Sequence, residues 1–379
     1  MITRNYVASI ALLMSSIVGV GMFTLPYIST KAGILTIIGY FIILGFIQHW
    51  LHKLYAEIIL STKKQHRLPG YAEKYLGKVS KKTLLLLSMF SSYGALLAYT
   101  IIGGDFLFQL LAPIFGGNVI FYTILLLSLR SIVVLFGFKW VTKAEMFLTG
   151  GLVASIIIVG AIASGQGLSD NLIIFNPGNL MLAYGPIFFA VGGMIAVNDI
   201  CIIMKKEKEK IISALRSGLI ISIAVMVLFT IAIASISGSL TSPDALSGLK
   251  DHIDPLFFNL LLVLGLVAVT TSFFAMAEAL EEMYIWDYKI NERLAWLLVI
   301  IIPLFFYLIG AQDVIKIVAI TGALSGGLLG GFYLILALKV KKKPEIEPPF
   351  KIILTPIMAY GFGLLFAAGL IYQLWEIFG

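Results

Sequence analysis

Residues 15–26 read SSIVGVGMFTLP, so two glycines, Gly19 and Gly21, stand near the middle of a long apolar run. Residues 184–194 read YGPIFFAVGGM and put another glycine pair in the middle of a second run. Non-helical backbone at membrane depth is tolerated only where it is buried in protein or lines a cavity. One such pair would serve close helix packing, but matching interruptions in two halves of a chain favour a transporter binding site.

The composition places these runs in a lipid bilayer. The chain has 379 residues, of which 60% are hydrophobic and 12% charged, and its mean hydropathy is +1.01. Soluble proteins average about 25% charged residues, so a soluble domain, a disordered protein and a disulfide scaffold are all disfavoured. Cys201 is the only cysteine, and the sequence contains no N-x-S/T glycosylation sequon. We expect a compact prokaryotic membrane protein.

Apolar runs that are long enough to span the bilayer recur along the chain. A transmembrane helix needs about 20 mostly apolar residues, and we find eleven such runs: 5–29, 33–60, 83–112, 118–138, 144–164, 179–204, 211–237, 256–284, 294–310, 314–338 and 352–377. The first run lacks a signal-peptide cleavage site and is kept as a helix. The sequence therefore predicts an all-α integral membrane protein with eleven transmembrane helices in a single domain, residues 1–379.

The positive charges predict the orientation. Of the 27 Lys and Arg residues, 22 fall at alternate helix ends, which we call the basic face: Arg4, 63–82, 139–143, 205–216, 289–293 and 339–351. Lys31, Lys250 and Lys316 fall on the opposite face. Positive loops stay in the cytoplasm, so we expect a multi-pass protein of the cell (inner) membrane with its amino terminus inside and its carboxyl terminus outside. The positive charge thus reflects topology and indicates no nucleic-acid partner.

The two interrupted helices begin two blocks of five helices. Repeat one is 1–164, repeat two is 179–338, and an additional helix follows at 352–377. Because five is odd, the second block starts from the opposite side of the membrane, which is the condition for an inverted repeat.

A break in a helix offers binding groups for a zwitterion. It frees amide donors at one half-helix start and carbonyl acceptors at the other half-helix end. The carboxylate of an amino acid would meet the amides around Gly19, Val20 and Gly21. Its ammonium group would meet the carbonyls around Phe189 and Ala190.

Four motifs resemble a known family of proteins. They are GVGMFTLP (19–26), AYTIIGGDFL (98–107), GPIFFAVGG (185–193) and VTTSFFAMAEAL (269–280). In this order they resemble the amino acid permeases of the amino acid/auxin and hydroxy/aromatic amino acid type, within the amino acid, polyamine and organocation superfamily. The resemblance implies the leucine-transporter-type fold, with an inverted five-plus-five repeat and an eleventh helix, and secondary active import of amino acids.

The resemblance also implies site residues. Substrate contacts would come from the two interrupted helices and from the third run: Gly19, Val20, Gly21, Tyr99, Phe188, Phe189, Ala190 and Val191. A sodium ion would be held by the hydroxyls of Thr271 and Ser272 with the carbonyls of Ser15, Val18 and Ala268. The alternative is that both hydroxyls bond to their own helix.

Departures from the family pattern limit the choice of coupling ion. Met22 stands where two-sodium members of the superfamily have asparagine, so no second sodium site is expected. Met194 replaces a frequent histidine, and Asn198 replaces a proline, which weakens a proton scheme on that helix. The middle of run 144–164 has no lysine whose ammonium group would replace the sodium. We expect sodium or a proton, with sodium slightly favoured, and no other metal or cofactor.

Ionisable side chains within or beside the spans are functional candidates. Arg4 precedes the first run, and we expect it to pair with Asp287, or with a glutamate of run 256–284, as an inner gate. His49 and His52 lie on one helix face and form a candidate proton relay. Arg130 is expected to reach the basic-face interface of the membrane.

The leading hypothesis is a secondary transporter that imports a neutral, apolar or aromatic amino acid by ion-coupled alternating access. Its partners are then the amino acid, a cation and the bilayer. The alternative is an amino acid-sensing membrane receptor of the same fold that performs no transport. The chain lacks HExxH, GxSxG and P-loop motifs, so no enzymatic activity is expected.

Overall fold

The computed structural model describes residues 3–136 and 171–378, and their regular secondary structure is entirely helical. The predicted run 144–164 lies outside these residues. The helices are α1 (Arg4–Ile17), α2 (Val20–Ala32), α3 (Ile34–Leu60), α4 (Leu68–Leu76), α5 (Lys78–Phe115), α6 (Val119–Phe136), α7 (Tyr184–Ala190), α8 (Met194–Ile203), α9 (Ile211–Ser237), α10 (Pro255–Tyr288), α11 (Glu292–Leu308), α12 (Val314–Leu324), α13 (Gly330–Lys342) and α14 (Pro356–Phe378). A 3-10 helix, Pro177–Ala183, precedes α7, and a π-helical turn, Ser325–Leu329, joins α12 to α13.

The described helices are those of a multi-pass membrane protein. Seven helical segments are long and apolar enough to cross a membrane, and the α1–α2 pair, bent by 53°, makes eight if it counts as one span. Helices α6 and α11 occupy the fourth and ninth predicted runs and are shorter. The all-α class is confirmed for the described residues.

Several described segments of the basic face contact one another. The hydroxyl of Thr3, which caps α1, donates to Glu207 before α9 at 2.8 Å. Lys74 of α4 pairs with Glu345, after α13, at 2.6 Å. Helix α4 was not predicted, because its 9 residues are too short for a span. These two contacts agree with the charge pattern of the sequence.

Helix α5 is the central support of the described bundle. It has 38 residues and packs against α4, α6, α10, α11 and α12. Helix α7 in turn packs closely on α12, where a Cβ on Gly322 would overlap the carbonyl oxygen of Gly185. Glycine at position 322 therefore permits the close approach of α7 to α12, and α7 also packs against α2, α3 and α14.

Candidate substrate and ion site

The first predicted break is present between α1 and α2. Helix α1 ends at Ile17 and α2 begins at Val20. The amide of Gly19 donates to the carbonyl of Ile17 at 3.0 Å and not to Ser15, four residues earlier. The carbonyl of Ser15 has therefore lost its helical donor and is free to accept from another group.

The second predicted break separates α7 from α8. Helix α7 ends at Ala190 and α8 begins at Met194. Gly193 has φ +64, a left-handed conformation that favours glycine. The amide of Gly192 donates to Phe189 at 3.1 Å, so the carbonyl of Phe188 lacks its helical donor. Phe188 lies one residue before Phe189 and Ala190, whose carbonyls the sequence predicts as contacts for the ammonium group.

The structure brings the two breaks into contact. A Cβ on Gly21 would lie 2.8 Å from Cα of Ala190 and 3.1 Å from Cδ1 of Phe189. A Cβ on Gly19 would lie 2.9 Å from Oγ of Ser272 and 3.2 Å from the hydroxyl of Tyr99. The missing side chains at these glycines thus allow both breaks, α5 and α10 to meet at one place.

A cavity of about 180 Å³ lies at this meeting point. Five predicted substrate residues line it: Gly19, Gly21, Tyr99, Phe188 and Phe189. The other three, Val20, Ala190 and Val191, are buried beside it and do not line it. The predicted substrate residues that line it therefore offer aromatic side chains and glycine backbone, as the sequence suggested for an apolar or aromatic side chain.

The two hydroxyls of the predicted ion site behave differently. Ser272 crosses to the first break and donates to the carbonyl of Ser15 at 3.4 Å. Thr271 bonds within its own helix to the carbonyl of Ala268 at 3.0 Å. The structure thus pairs four of the five predicted ligand residues, while the Val18 carbonyl belongs to the turn that ends α1.

Helix α3 supplies two side chains to the second break. Gln48 donates to the carbonyl of Gly192 at 2.7 Å, and Nε2 of His52 lies 2.6 Å from the same oxygen. A carbonyl oxygen can only accept, so Nε2 of His52 carries the proton. His49, the other half of the predicted relay, makes no such contact. Among the described residues, Nδ1 of His52 has no hydrogen-bond partner.

Arg130 lies at the centre of the bundle, and its predicted position at the membrane interface is wrong. It is 2% exposed. Its Nη1 donates to the carbonyl of Tyr99 at 3.0 Å, and its Nη2 donates to Oγ1 of Thr270 at 2.7 Å. The guanidinium also lies 5.0 Å from the ring centroid of Phe273. The sequence contains no signal for the rotation of α6 that turns this residue inward.

Arg67, between α3 and α4, lines the basic-face end of the cavity. Its Nη2 donates to Glu282 of α10 at 2.5 Å and lies 3.4 Å from Asp199 of α8. Burial acts to lower the pKa of Arg67, but the carboxylates of Asp199 and Glu282 raise it above its ordinary value. The charged group therefore joins the half-helix after the second break to α10.

The predicted gate residues take no part in this ion pair. Arg4 is exposed, and neither Arg4 nor Asp287 forms a salt bridge with any residue that the structure describes. An Arg4–Asp287 gate stays a prediction. Spacing along the sequence could not predict the ion pairs of Arg67, because its position depends on the connection between α3 and α4.

A second cavity opens on the opposite face and has a volume of about 960 Å³. Its lining includes Tyr27 and Lys31 of α2, Asp105 of α5 and Ala319 of α12. The helices of the two breaks therefore lie between a cavity that extends toward the basic face and a larger one on the other side.

Comparisons with known proteins agree with this geometry. The model of the tryptophan/tyrosine permease family matches residues 2–375. Vacuolar amino acid transporter 2 of Saccharomyces cerevisiae is 33% identical over 107 residues, which are 28% of this chain and 22% of that protein. The chain thus matches about a fifth of the length of this relative. The crystal structure of MhsT in complex with L-phenylalanine has a TM-score of 0.69 and 17% identity, with 99% of each chain covered. This likeness confirms the predicted leucine-transporter-type fold.

Proposed function

We propose that the chain, which belongs to the tryptophan/tyrosine permease family, is a secondary active transporter that imports a neutral, apolar or aromatic amino acid. The observation that carries the proposal is the contact between the two helix breaks at a cavity lined by Tyr99, Phe188 and Phe189. Membership of a permease family indicates a transporter and not an enzyme.

The substrate would bind between the breaks without a charged side chain from either interrupted helix. Its carboxylate meets the amides at Gly19, Val20 and Gly21, at the start of α2, where the helix dipole is positive. Its ammonium meets the carbonyl acceptors at the end of α7. One of them, the carbonyl of Phe188, lacks its helical donor. The aromatic lining and the phenylalanine bound in MhsT support an apolar or aromatic side chain, as does the family description.

Sodium would bind between the first break and α10. The carbonyls of Ser15, Val18 and Ala268 and the hydroxyls of Thr271 and Ser272 would supply five oxygen ligands, the donor type that hard cations prefer. The contact of Ser272 with Ser15 at 3.4 Å supports this site. The proton is the second candidate, favoured by His52, whose buried Nδ1 has no partner among the described residues.

The transport cycle would follow the fold. The chain would have eleven transmembrane helices in an inverted repeat, with its amino terminus in the cytoplasm. The interrupted helices would move against α5, α10 and α12, so that the cavities on the two faces open alternately. The Arg67 ion pair with Asp199 and Glu282 lies at the basic end of this path, and we propose it as part of the inner gate.

Transport assays in proteoliposomes test the proposal. Labelled tryptophan, tyrosine, phenylalanine and leucine would be offered with an inward sodium gradient, with a pH gradient or with neither, and labelled lysine would serve as the control. We expect accumulation of one or more of the first four under one gradient, and none of lysine. Saturable binding without accumulation would favour the receptor instead. Absence of both binding and accumulation would contradict the substrate class.

A further inference from the structure

Arg130 is a buried cation that the proposed substrate and ion contacts do not use. Arginine remains protonated in proteins, and a charge at membrane depth is costly unless polar groups surround it. Its three hydrogen bonds in the structure go to the Tyr99 carbonyl and, from Nη2 and Nε, to Thr270. No carboxylate of the described residues lies within salt-bridge distance of it. The positive charge therefore persists at this place.

The protein provides space for this guanidinium. A Cβ on Gly103 of α5 would lie 2.5 Å from its Nη2 and 3.1 Å from its Nη1. Glycine at position 103 thus lets the guanidinium lie close against α5. The ring of Phe273 covers it from α10 at 5.0 Å, a distance at which an aromatic face attracts a cation.

Each group that holds Arg130 is a proposed site residue or its neighbour. The carbonyl of Tyr99 accepts a hydrogen bond from Arg130, and the hydroxyl of Tyr99 lies next to Gly19. Thr270 and Phe273 flank the Thr271-Ser272 pair on α10. The guanidinium thus lies beside the segment of α10 that carries the hydroxyl pair.

We propose that Arg130 is a positioning and specificity-determining residue. Its guanidinium fixes the Tyr99 segment of α5 against the hydroxyl pair of α10. Its positive charge strengthens binding of the substrate carboxylate and weakens binding of a cation at the same site. The inference rests on the proposed amino acid transport. Charges of opposite sign attract and charges of like sign repel, and solvent screens these forces only weakly inside the protein.

The proposal predicts opposite changes for the two ligands. Arg130→Met removes the charge and keeps an unbranched apolar chain, so we expect the dissociation constant of the substrate to rise by about tenfold and the half-saturating sodium concentration to fall by about threefold. Arg130→Lys keeps the charge and loses the planar fork. It should stay near wild type for sodium and lie between wild type and Arg130→Met for substrate.

The measurements are binding of a labelled substrate to purified protein, at low sodium and over a sodium titration, with Arg293→Met, an exposed arginine, as the control. Thr270→Val provides a variant that keeps the charge if the Arg130 variants fail to fold. It should weaken substrate binding by about threefold through loss of the two hydrogen bonds that Thr270 accepts from the guanidinium, with sodium half-saturation unchanged.

A solely structural role would weaken both ligands together and would make Arg130→Lys as defective as Arg130→Met. Either result would overturn the proposal, as would a sodium half-saturation that does not fall in Arg130→Met. Where the Arg130 variants do not fold, equal weakening of both ligands by Thr270→Val would overturn it. Wild-type protein that binds no amino acid would instead overturn the proposed function, and this inference with it.

Discussion

The break between α1 and α2 and the break between α7 and α8 interrupt their helices by different means. At the first break, no residue needs a positive φ, and glycine is required because Gly19 and Gly21 approach Ser272 and Ala190 closely. At the second break, Gly193 is left-handed, and side chains of α3 bind the carbonyl of Gly192. The first break is thus shaped by contacts with its neighbours and the second by its own backbone.

This difference indicates distinct roles. The first break contacts Tyr99 of α5 and Ser272 of α10. Arg130 joins the same two helices. The second break is tied to α3 by Gln48 and His52. Under the proposed function, we infer that the first break would respond to binding of the cation, whereas the second break and α3 would move as one unit.

The largest expected effect comes from separating the two breaks. Gly21→Ala places a Cβ 2.8 Å from Cα of Ala190, and backbone atoms cannot move aside as a side chain can. Displacement of a bound reactant by about 1 Å can cost about 100-fold in rate, and we expect a loss of similar size in uptake. Gly39→Ala is the control, because nothing lies within 4 Å of its added Cβ. Uptake by Gly21→Ala within threefold of wild type would mean that the breaks need not touch.

Local signals in the sequence were enough to find both breaks. Glycine pairs in apolar runs mark positions where a helix can end, and run length with charge position predicts most described spans. The contacts of Arg130 and Arg67 could not be predicted in this way. Whether α6 turns Arg130 toward α5 or toward lipid depends on how the helices pack, because a helix that is apolar on all sides shows no preferred face.

The same limit separates His52 from His49. Spacing placed both histidines on one face, but only the position of Gly192, 140 residues further along the chain, decides that His52 touches the break. In the same way, the hydroxyls of Thr271 and Ser272 are adjacent in sequence, yet one bonds within its helix and the other across to α1.

A second test compares the basic-face ends of the two interrupted helices. Arg67 joins α8 to α10, whereas Arg4 on α1 is exposed and forms no ion pair with the described residues. Arg67→Gln should raise the rate at which a thiol reagent labels a cysteine introduced at Ser88, which lines the cavity. We expect about tenfold, because the freed carboxylates repel each other.

Arg4→Gln should change this labelling rate by less than about twofold, as expected for an exposed charge. The background is measured in protein that retains only the native Cys201, which is buried. Equal effects of the two substitutions would show that both half-helices are held alike at the basic face.

A third test removes the contact between α3 and the second break. His52→Leu leaves the carbonyl of Gly192 with Gln48 as its donor, and loss of one hydrogen bond costs about 1 kcal/mol. We expect about a fivefold lower initial rate of uptake, which is the change that about 1 kcal/mol produces. His49→Leu should have less effect, since it touches no carbonyl of the break. A larger loss in His49→Leu would contradict the assignment of the two histidines.

The smallest expected effect distinguishes the two hydroxyls that face the first break. Ser272 contacts the carbonyl of Ser15, so Ser272→Ala removes a bond between α10 and the break. Thr271 donates its hydroxyl proton to the carbonyl of Ala268 within α10, and its lone pairs remain available to a cation. We expect the half-saturating sodium concentration to rise by about threefold in Ser272→Ala and by less in Thr271→Val, because only Ser272 is already directed toward the break. A larger effect of Thr271→Val would mean that the hydroxyl that bonds within α10 contributes more to cation binding than Ser272 does. The contact between Ser272 and the first break would then not identify the main hydroxyl ligand.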